Sequence, residues 1–119
     1  MDAVRAAVER LYDGICTVIQ RQKVRDDKTG KTYFTEMETV MDEPCHLSYE
    51  QISAVDPNSG LPKKRLGAKL ILAPETVILP GSKIIVTQNG RRGEYKQSGE
   101  PAAYASHQEI RLELFDEWA

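Results

Sequence analysis

Residues 83–97, KIIVTQNGRRGEYKQ, contain the clearest indication of the fold. Asn89-Gly90 is the strongest short-range signal for a two-residue β-hairpin turn, because both positions accept a positive φ. It separates the β-branched run Lys83–Gln88 from a returning strand at Glu94–Gln97, with Arg91-Arg92-Gly93 as an extension of the turn. This stretch therefore predicts an antiparallel hairpin within a mainly β fold.

Alternating apolar residues predict further strands on both sides of this hairpin. Arg65–Leu72 and Thr76–Leu79 precede it, and the turn Pro80-Gly81 leads into it. After a connection rich in Gly, Pro and Ala, His107–Leu114 alternates again. The positions of this last strand expected to point inward are Ile110, Leu112 and Leu114.

The first half of the chain predicts a long hairpin. Ile15–Val24 is rich in β-branched residues, Arg25–Gly30 is a polar turn, and Lys31–Asp42 alternates between two faces. Pro44–Tyr49 is expected to form a further short strand. Each of these runs is bounded by turn residues, as is typical of an antiparallel β protein.

One helix is expected at the N-terminus. Residues 2–12, DAVRAAVERLY, place apolar side chains at helical spacing, with Asp2 as the N-cap and Gly14 as the left-handed residue after the helix. One helix and about seven short strands predict a small antiparallel β-barrel or sandwich. With 119 residues, the chain is expected to form a single domain, in which residues 1–13 are a helical extension and residues 14–119 the β-barrel.

Residues 50–65 are the least patterned part of the chain and predict one long loop. Asp56-Pro57-Asn58-Ser59-Gly60 is a strong turn signal, and Pro62 adds a second break. A loop of this length in a small domain is normally functional or disordered. The candidate functional residues within it are Ser53, Asp56, Pro57, Asn58, Ser59, Gly60, Leu61, Pro62, Lys63, Lys64 and Arg65.

Charge is distributed along the chain in blocks. Residues 63–96 carry eight basic and two acidic residues, residues 31–62 one basic and six acidic, and residues 97–119 one basic and five acidic. Blocks of opposite sign favour head-to-tail docking of a basic face on an acidic face of a neighbour. Folding could equally mix these blocks into a neutral surface, and the sequence alone favours neither outcome.

Cys16 and Cys45 do not form a disulfide framework, and each lies in an apolar or strand-like run where cysteine packs as a small hydrophobe. The charged amphipathic stretch at Met1–Asp2 and beyond is not the pattern of a signal peptide, so we expect none. The apolar runs of the chain are all far shorter than the roughly 20 residues that span a bilayer. We therefore expect no membrane association and a protein kept in a reducing cytoplasm or packed into a particle assembled there.

The sequence shows no catalytic constellation, since it lacks a Gly-rich phosphate loop, a CxxC pair, an HExxH motif and a nucleophile elbow. His46 lies next to Cys45, but the spacing to Cys16 matches no standard zinc pattern. Glu36 and Glu38 share a strand face without any sign of the cleft that acid–base catalysis needs. We expect no enzymatic activity, no bound metal and no cofactor.

Two basic clusters are candidates for contact with phosphate groups. Lys63-Lys64-Arg65 lies at the end of the predicted loop and Arg91-Arg92 at the hairpin tip. Such loop tips on an OB-like or SH3-like barrel bind nucleic acid, although Tyr95 is the one aromatic residue beside them that could stack on bases. Solubility is the simpler explanation for arginines at a hairpin tip. The candidate subunit contacts are Arg91, Arg92, Phe115 and Trp118.

Residues 73–115 combine a Pro-Gly turn into a strand, a Gly-containing hairpin, a Ser-Gly-Glu-Pro connection, a Tyr and a final strand that opens with His. The residues concerned are Pro80, Gly81, Ile84, Val86, Gly90, Tyr95, Ser98, Gly99, Glu100, Pro101, Tyr104, His107, Gln108, Glu109 and Leu112. In this pattern the chain resembles the head-completion, or stopper, proteins of tailed bacteriophages and prophages. The hairpin around Asp27-Lys28-Thr29-Gly30 and the run from Pro44 to Tyr49 fit as well, whereas Asp2–Tyr12 lies outside the pattern.

The resemblance implies a structural protein of the virion neck, assembled in the bacterial cytoplasm. It implies a dodecameric ring between the portal or adaptor and the tail, which helps to retain packaged DNA and docks the tail. It also implies that a long loop, Ser53–Leu66 by position, projects into the channel, where it has non-specific contact with DNA. A tail-completion or adaptor protein is the alternative within the virion, and a small nucleic-acid-binding barrel is the alternative of another class.

Overall fold

The computed structural model describes residues 3–116 and 118, excluding the side chains of residues 52, 54 and 63–66. One helix and seven strands make up this part of the chain. They are α1 (Ala3–Glu9), β1 (Gly14–Arg25), β2 (Thr32–Val55), β3 (Pro62–Leu72), β4 (Lys83–Gln88), β5 (Arg91–Gln97), β6 (Ala102–Ala103) and β7 (Gln108–Leu114). The prediction of a mainly β fold with one short helix is confirmed.

The strands are antiparallel and close into a ring. Their order is β3-β2-β1-β4-β5-β7-β6, and β3 also pairs with β7, so that six strands form the ring and β6 pairs with the start of β7. Closure of a sheet removes the unpaired edges that would otherwise promote aggregation. The arrangement agrees with the predicted class of a small antiparallel β-barrel or sandwich.

The core fills the inside of this ring with alternate residues of its strands and with Ile78 from the connection between β3 and β4. It consists of Cys16, Val18, Cys45, Leu47, Ala68, Leu70, Leu72, Ile78, Ile84, Val86, Tyr95, Ile110 and Leu112. Cys16 and Cys45 are buried free thiols, as predicted. Leu114, which was expected inside, is 74% exposed, because the pairing of β7 with β3 ends at Leu112.

Two hairpins project beyond the ring. Past its pairing with β4, β1 pairs with β2 alone, and Gln20–Arg25 with Thr32–Met37 form what we call arm 1. Before its pairing with β7, β3 likewise pairs with β2 alone, and Glu50–Val55 with Pro62–Gly67 form arm 2. The radius of gyration is 17.0 Å, against about 13.5 Å for a compact domain of this length. Both arms therefore extend away from the closed body.

Arm 2 overturns the prediction of a long loop at residues 50–65. The strands pair continuously from Glu50↔Gly67 to Val55↔Pro62, and residues 56–61 alone form the turn. The hairpin was missed because its strands leave the core and carry no clear apolar alternation. Pro62 predicts a break in the chain, but proline is compatible with the first residue of a strand, and β3 begins at Pro62.

β2 passes from the tip of arm 1 to the tip of arm 2 and is strongly bent. Its 24 residues would span about 75 Å if straight, whereas the molecule extends 52 Å along its longest principal axis and 50 Å along the next. Register shifts between Cys16 and Val18 and between Val18 and Ile19 each insert one extra residue in β2. Such bulges bend a strand, and Asp42 in the first of them has a φ of 47°. The two strands predicted at residues 31–42 and 44–49 are therefore one bent strand.

Thr76–Leu79 was predicted as a strand but belongs to an irregular connection between β3 and β4. The Gln108 amide fixes this connection, since its Nε2 donates to the carbonyl oxygens of Ala73 at 2.8 Å and Thr76 at 2.6 Å. An ion pair between Arg5 and Glu75 links α1 to the same segment. The connection thus covers one end of the core without adding a strand.

The ends of the N-terminal helix and of the β4–β5 hairpin differ from the predicted ones. α1 ends at Glu9, so Gly14 is not its cap and instead begins β1; Asp2 lies outside the described residues. Asn89 and Gly90 have φ values of 54° and 74°, as a two-residue type I′ turn requires. β5 therefore starts directly at Arg91 and not, as predicted, at Glu94.

Candidate functional site

The two arms end in the same turn. Asp26 and Asp56 each accept a hydrogen bond on the side chain from the backbone N–H two residues later, at 2.9 Å. Each also accepts one on its carbonyl oxygen from the backbone of Gly30 or Gly60, at 2.8 Å, and both glycines have a φ of 70°. The shared sequence is Asp-x-x-Thr/Ser-Gly. The same hydrogen bonds therefore close the turn at both tips.

Arm 1 has one charged and one uncharged face. On the charged face, the Arg21 guanidinium lies 3.7 Å from the centre of the Phe34 ring, opposite Glu36. The cross-strand pairs of the uncharged face are Gln20↔Met37, Gln22↔Thr35 and Val24↔Tyr33. Because alternate residues of a strand share a side, this face continues the inner side of the ring. Tyr33 and Met37 are 51% and 44% exposed on it.

A groove of about 520 Å³ lies between the segment of β2 that leads into arm 2, at Leu47 and Tyr49, and the tip of the β4–β5 hairpin. Its lining residues are Leu47, Tyr49, Val86, Gln88, Asn89, Arg91, Arg92, Gly93 and Tyr95. A second cavity of about 290 Å³ shares Tyr49 and Tyr95 with it and reaches Leu112–Leu114 at the end of β7. We call the two together the arm 2 groove.

The floor of the arm 2 groove is built around Tyr95. Its ring lies over Gly93, where a Cβ atom would approach the ring to 2.7 Å, so that glycine alone fits without a shift. Burial, followed by a hydrogen bond with the Tyr49 hydroxyl, raises the pKa of Tyr95 to about 12. The Tyr95 phenol is therefore a neutral donor and acceptor at physiological pH.

Four basic residues of the block at residues 63–96 form ion pairs within the described part of the chain: Lys69, Lys83, Arg92 and Lys96. Lys69 pairs with Glu109 at 3.0 Å and Lys83 with Glu94 at 2.8 Å. The Lys83 ammonium, as the main cause, holds the pKa of Glu94 below its ordinary value. Folding thus mixes the charge blocks, and the hypothesis of two large faces of opposite charge is not supported by these pairs.

Arg91 and Arg92 remain exposed at the rim of the arm 2 groove, where Arg92 contacts Glu94 at 3.5 Å. Phe115 and Trp118 pack edge to face at 5.1 Å and line a different cavity. The structure therefore divides the four candidate subunit contacts between two sites. Their role in subunit contact stays a prediction.

The candidate channel residues lie on arm 2. Asp56, Pro57, Asn58, Ser59, Gly60 and Leu61 form its tip, Ser53 lies in β2, and Pro62 begins β3. Lys63, Lys64 and Arg65 follow in β3, and their side chains lie outside the described part of the structure. Leu61 and Val55 are 64% and 68% exposed, so the tip has an apolar surface as well as polar turn residues.

Cys16 and Cys45 lie together in the core, but His46 does not join them. Cys45 points into the core, whereas the neighbouring His46 hydrogen-bonds Asp13 outside it at 2.8 Å, which lowers the pKa of that carboxyl. Alternation along a strand puts adjacent side chains on opposite faces. Among the described residues, no three His, Cys, Asp or Glu side chains are grouped as metal ligands.

His107 is the centre of a small hydrogen-bond network at the start of β7. Its Nδ1 lies 2.8 Å from Ser106 Oγ and its Nε2 2.8 Å from Glu109 Oε2, and its ring stacks on Tyr104. The order resembles a serine–histidine–acid relay, but Ser106 is buried and all three residues belong to one short segment. The arrangement stabilises the turn into β7.

Sequence reasoning did not find arm 2 or the groove beneath it. The repeated Asp-x-x-Thr/Ser-Gly turn was the available signal, because the first copy was already recognised as a hairpin turn.

Among the described residues, no helix has the length and apolar character to cross a membrane.

The fold is shared with a protein of a phage-like element. It is the xkdH protein of the element PBSX of Bacillus subtilis, with a TM-score of 0.52 over 84% of this chain and 91% of that one. The two sequences are 12% identical, so the likeness concerns the fold. No protein-family model matches the chain, and no curated protein does.

Proposed function

We propose that the chain is a structural subunit in the neck of a tailed phage or prophage particle. It forms a ring between the portal or adaptor and the tail, retains packaged DNA and docks the tail. The observation that carries this proposal is the pair of long arms, with exposed uncharged surface, on a small closed body. The partners are other copies of the chain, the portal or adaptor, and tail proteins.

The two projecting arms are not expected to stabilise an isolated subunit. A two-stranded hairpin is marginally stable in water without a sheet or helix to pack on. Arm 1 nevertheless exposes Tyr33, Phe34 and Met37 to about half their full area or more. Such surface on a projecting element is typical of a contact site for another protein. Neighbouring subunits would supply the missing packing.

Two further points support a neck subunit over other assemblies. The sequence resembles the stopper proteins over most of its length, and the fold is that of a protein from a phage-like element. A subunit with two different arms makes heterologous contacts, and such contacts give a ring when their rotation closes. Rings are the symmetry that a channel for DNA needs.

Within the ring, we place the tip of arm 2 in the channel. This hairpin replaces the long loop that was expected there. From residue 53 to residue 65, the one acidic residue is Asp56. Its carboxylate accepts a hydrogen bond from the Asn58 N–H within the turn. Low negative charge suits a position near phosphate groups. A rigid hairpin would narrow the channel as a set of identical arms around the axis.

The proposal is tested by electron microscopy of the purified protein mixed with the portal and adaptor proteins of its phage or prophage. A closed ring bound beneath the portal or adaptor is the expected result. Binding to tail ends in place of heads would favour a tail-completion protein. The neck role is rejected if the protein stays monomeric and binds neither the portal and adaptor nor tail ends. If such a monomer binds DNA in fluorescence anisotropy, a nucleic-acid-binding barrel is favoured.

A further inference from the structure

We propose that the charged face of arm 1 is a binding site for the phosphate backbone of double-stranded DNA. The site consists of a row of three basic residues on β1, Arg21, Lys23 and Arg25, and of Phe34 on the facing strand. It is an addition to the proposed function, on which it rests for the choice of DNA as the polyanion. Unpaired charge, the geometry of the row, a stacked arginine and the lack of apolar surface carry the inference.

Unpaired basic residues of the described chain are concentrated on arm 1. Elsewhere, six arginines and lysines form ion pairs: Arg5, Lys69, Lys83, Arg92, Lys96 and Arg111. Seven other basic side chains are described, and apart from Arg10 and Arg91 they all belong to arm 1 and its turn: Arg21, Lys23, Arg25, Lys28 and Lys31. Charges that the fold does not neutralise are available to a ligand.

The three basic residues of β1 form a row on the outer surface. Alternate residues of a strand share a side, and Cys16 and Val18 of the same strand point the other way, into the core. Successive side chains of the row repeat at about 6.8 Å, so that the row is about 14 Å long. Phosphates of one DNA strand follow one another at about 3.4 Å along the helix axis. The row therefore spans about four phosphates.

Acidic residues do not cancel the charge of this row. Its cross-strand partners include one carboxylate, Glu36, which lies opposite Arg21. Lys23 and Arg25 face Phe34 and a threonine. From residue 20 to residue 37, five residues are basic and three are acidic, whereas the whole chain has a net charge of −2. The arm is thus a local excess of positive charge on an acidic protein.

Phe34 holds Arg21 in an orientation suited to phosphate. The guanidinium lies 3.7 Å from the centre of the ring, and Phe34 is 56% exposed. A guanidinium stacked on an aromatic face keeps its charge, and its planar edge still donates hydrogen bonds to phosphate oxygens. A cavity of about 200 Å³ lies beside the pair, with Gly81 and Trp118 in its wall. The base of the row is therefore a preorganised, concave contact.

The charged face is poorly suited to a protein partner. The centre of a protein interface is depleted of charged residues. Phe34 is the one large apolar side chain that the arm places on this face, and Arg21 already lies over it. The exposed Tyr33 and Met37 lie on the uncharged face, where a neighbouring subunit packs in the proposed assembly. Arm 1 thus contacts a subunit with one face and DNA with the other.

Neutralising the row tests the site. The row variant carries Arg21→Gln, Lys23→Gln and Arg25→Gln. The matched control carries Arg91→Gln, Arg92→Gln and Arg111→Gln, which removes the same charge from exposed positions elsewhere. Fluorescence anisotropy measures the affinity of each protein for a labelled DNA duplex of random sequence over a range of salt concentrations. Circular dichroism shows that the variants are folded; Lys23→Gln with Arg25→Gln replaces the row variant if the triple change unfolds it.

Wild type should bind the duplex with an affinity that falls steeply with salt. The row variant should bind at least about tenfold more weakly, and the slope of log affinity against log salt should decrease by about 2 to 3, because each phosphate contact contributes about 0.9. The control should stay within about twofold of wild type, since its arginines lie outside the site. Polyglutamate should compete with the duplex poorly.

The site is rejected if wild type does not bind the duplex, if the row variant binds as well as wild type, or if the control loses as much affinity as the row variant. Equal binding of wild type to polyglutamate and to DNA would show charge attraction without a DNA site. Ring formation on the portal or adaptor is measured with the same row variant and should be unchanged, because the uncharged face is intact. A ring without DNA binding rejects the site alone, whereas DNA binding without a ring rejects the proposed function alone.

Discussion

The side-chain amide of Gln88 forms hydrogen bonds with both backbone polar groups of Leu47. Its Oε1 accepts from the Leu47 N–H at 2.7 Å, and its Nε2 donates to the Leu47 carbonyl at 3.0 Å. The pairing of β2 with β1 ends at Cys45, so Leu47 has no partner in β1. The Gln88 amide forms the hydrogen bonds with Leu47 that a residue of β1 would otherwise form. Gly14 makes room for it, since a Cβ there would lie 2.9 Å from Gln88 Oε1.

Replacing Gln88 by Glu should destabilise the fold in a pH-dependent way. A carboxylate cannot donate to the Leu47 carbonyl, and an unsatisfied buried group costs about 1–3 kcal/mol. The protonated acid can donate, so folding raises the pKa of the new carboxyl, and the loss should shrink at low pH. Urea unfolding at pH 7 and pH 4 measures this. Gln88→Met, which lacks both bonds, should show no such pH dependence; equal losses for Gln88→Glu at both pH values would refute the role.

Gly90→Val should destabilise the protein by about 1 kcal/mol or more, because valine is strained at positive φ. The backbone there has a φ of 74°. Asn89→Gly is the matched control, since glycine accepts the φ of 54° at that position and the change should be small. Thermal unfolding of both variants provides the comparison. An unchanged melting temperature for Gly90→Val would mean that the turn has another conformation.

Acid should weaken the fold partly through Glu109. Hydrogen bonds from His107, and secondly from Lys69, lower the pKa of this carboxyl. A group with a lowered folded-state pKa stabilises the protein above its unfolded pKa, and this stability is lost as the pH falls through the folded value. Glu109→Gln should therefore be less stable at pH 7, by about 1 kcal/mol, and approach wild type near pH 3. Melting curves across this range test the effect, with Glu100→Gln as the exposed control.

The closed body was predictable from the sequence and the arms were not. Runs such as Lys83–Gln88 and residues 65–72 alternate because one side of each strand faces the core. Arm 2 lies beyond the core, so nothing forces an apolar period on it and its sequence looked like a loop. The groove depends on contacts between Tyr49 and Tyr95, 46 positions apart in the sequence. Such long-range proximity is set by strand register, which local patterns do not contain.

Shortening each arm separately should separate channel closure from assembly. In the first variant, Asn-Gly joins Gln51 to Leu66, which removes the outer part of arm 2 at a cross-strand pair. In the matched variant, Asn-Gly joins Gln22 to Thr35, the corresponding pair of arm 1. The trimmed arm 2 should leave folding and the ring intact while nuclease-accessible DNA in tailless filled heads increases. The trimmed arm 1 should abolish the ring. Heads that stay sealed without the arm 2 tip would exclude a gate.

The neck role is tested most directly by the copy number of this chain in purified, DNA-filled heads that lack tails. Quantitative mass spectrometry gives its molar ratio to the portal protein in the same particles. A ring matched to the portal predicts one copy of this chain per portal subunit. Absence from such heads, or a copy number comparable with that of the major capsid protein, would contradict the proposed position between head and tail.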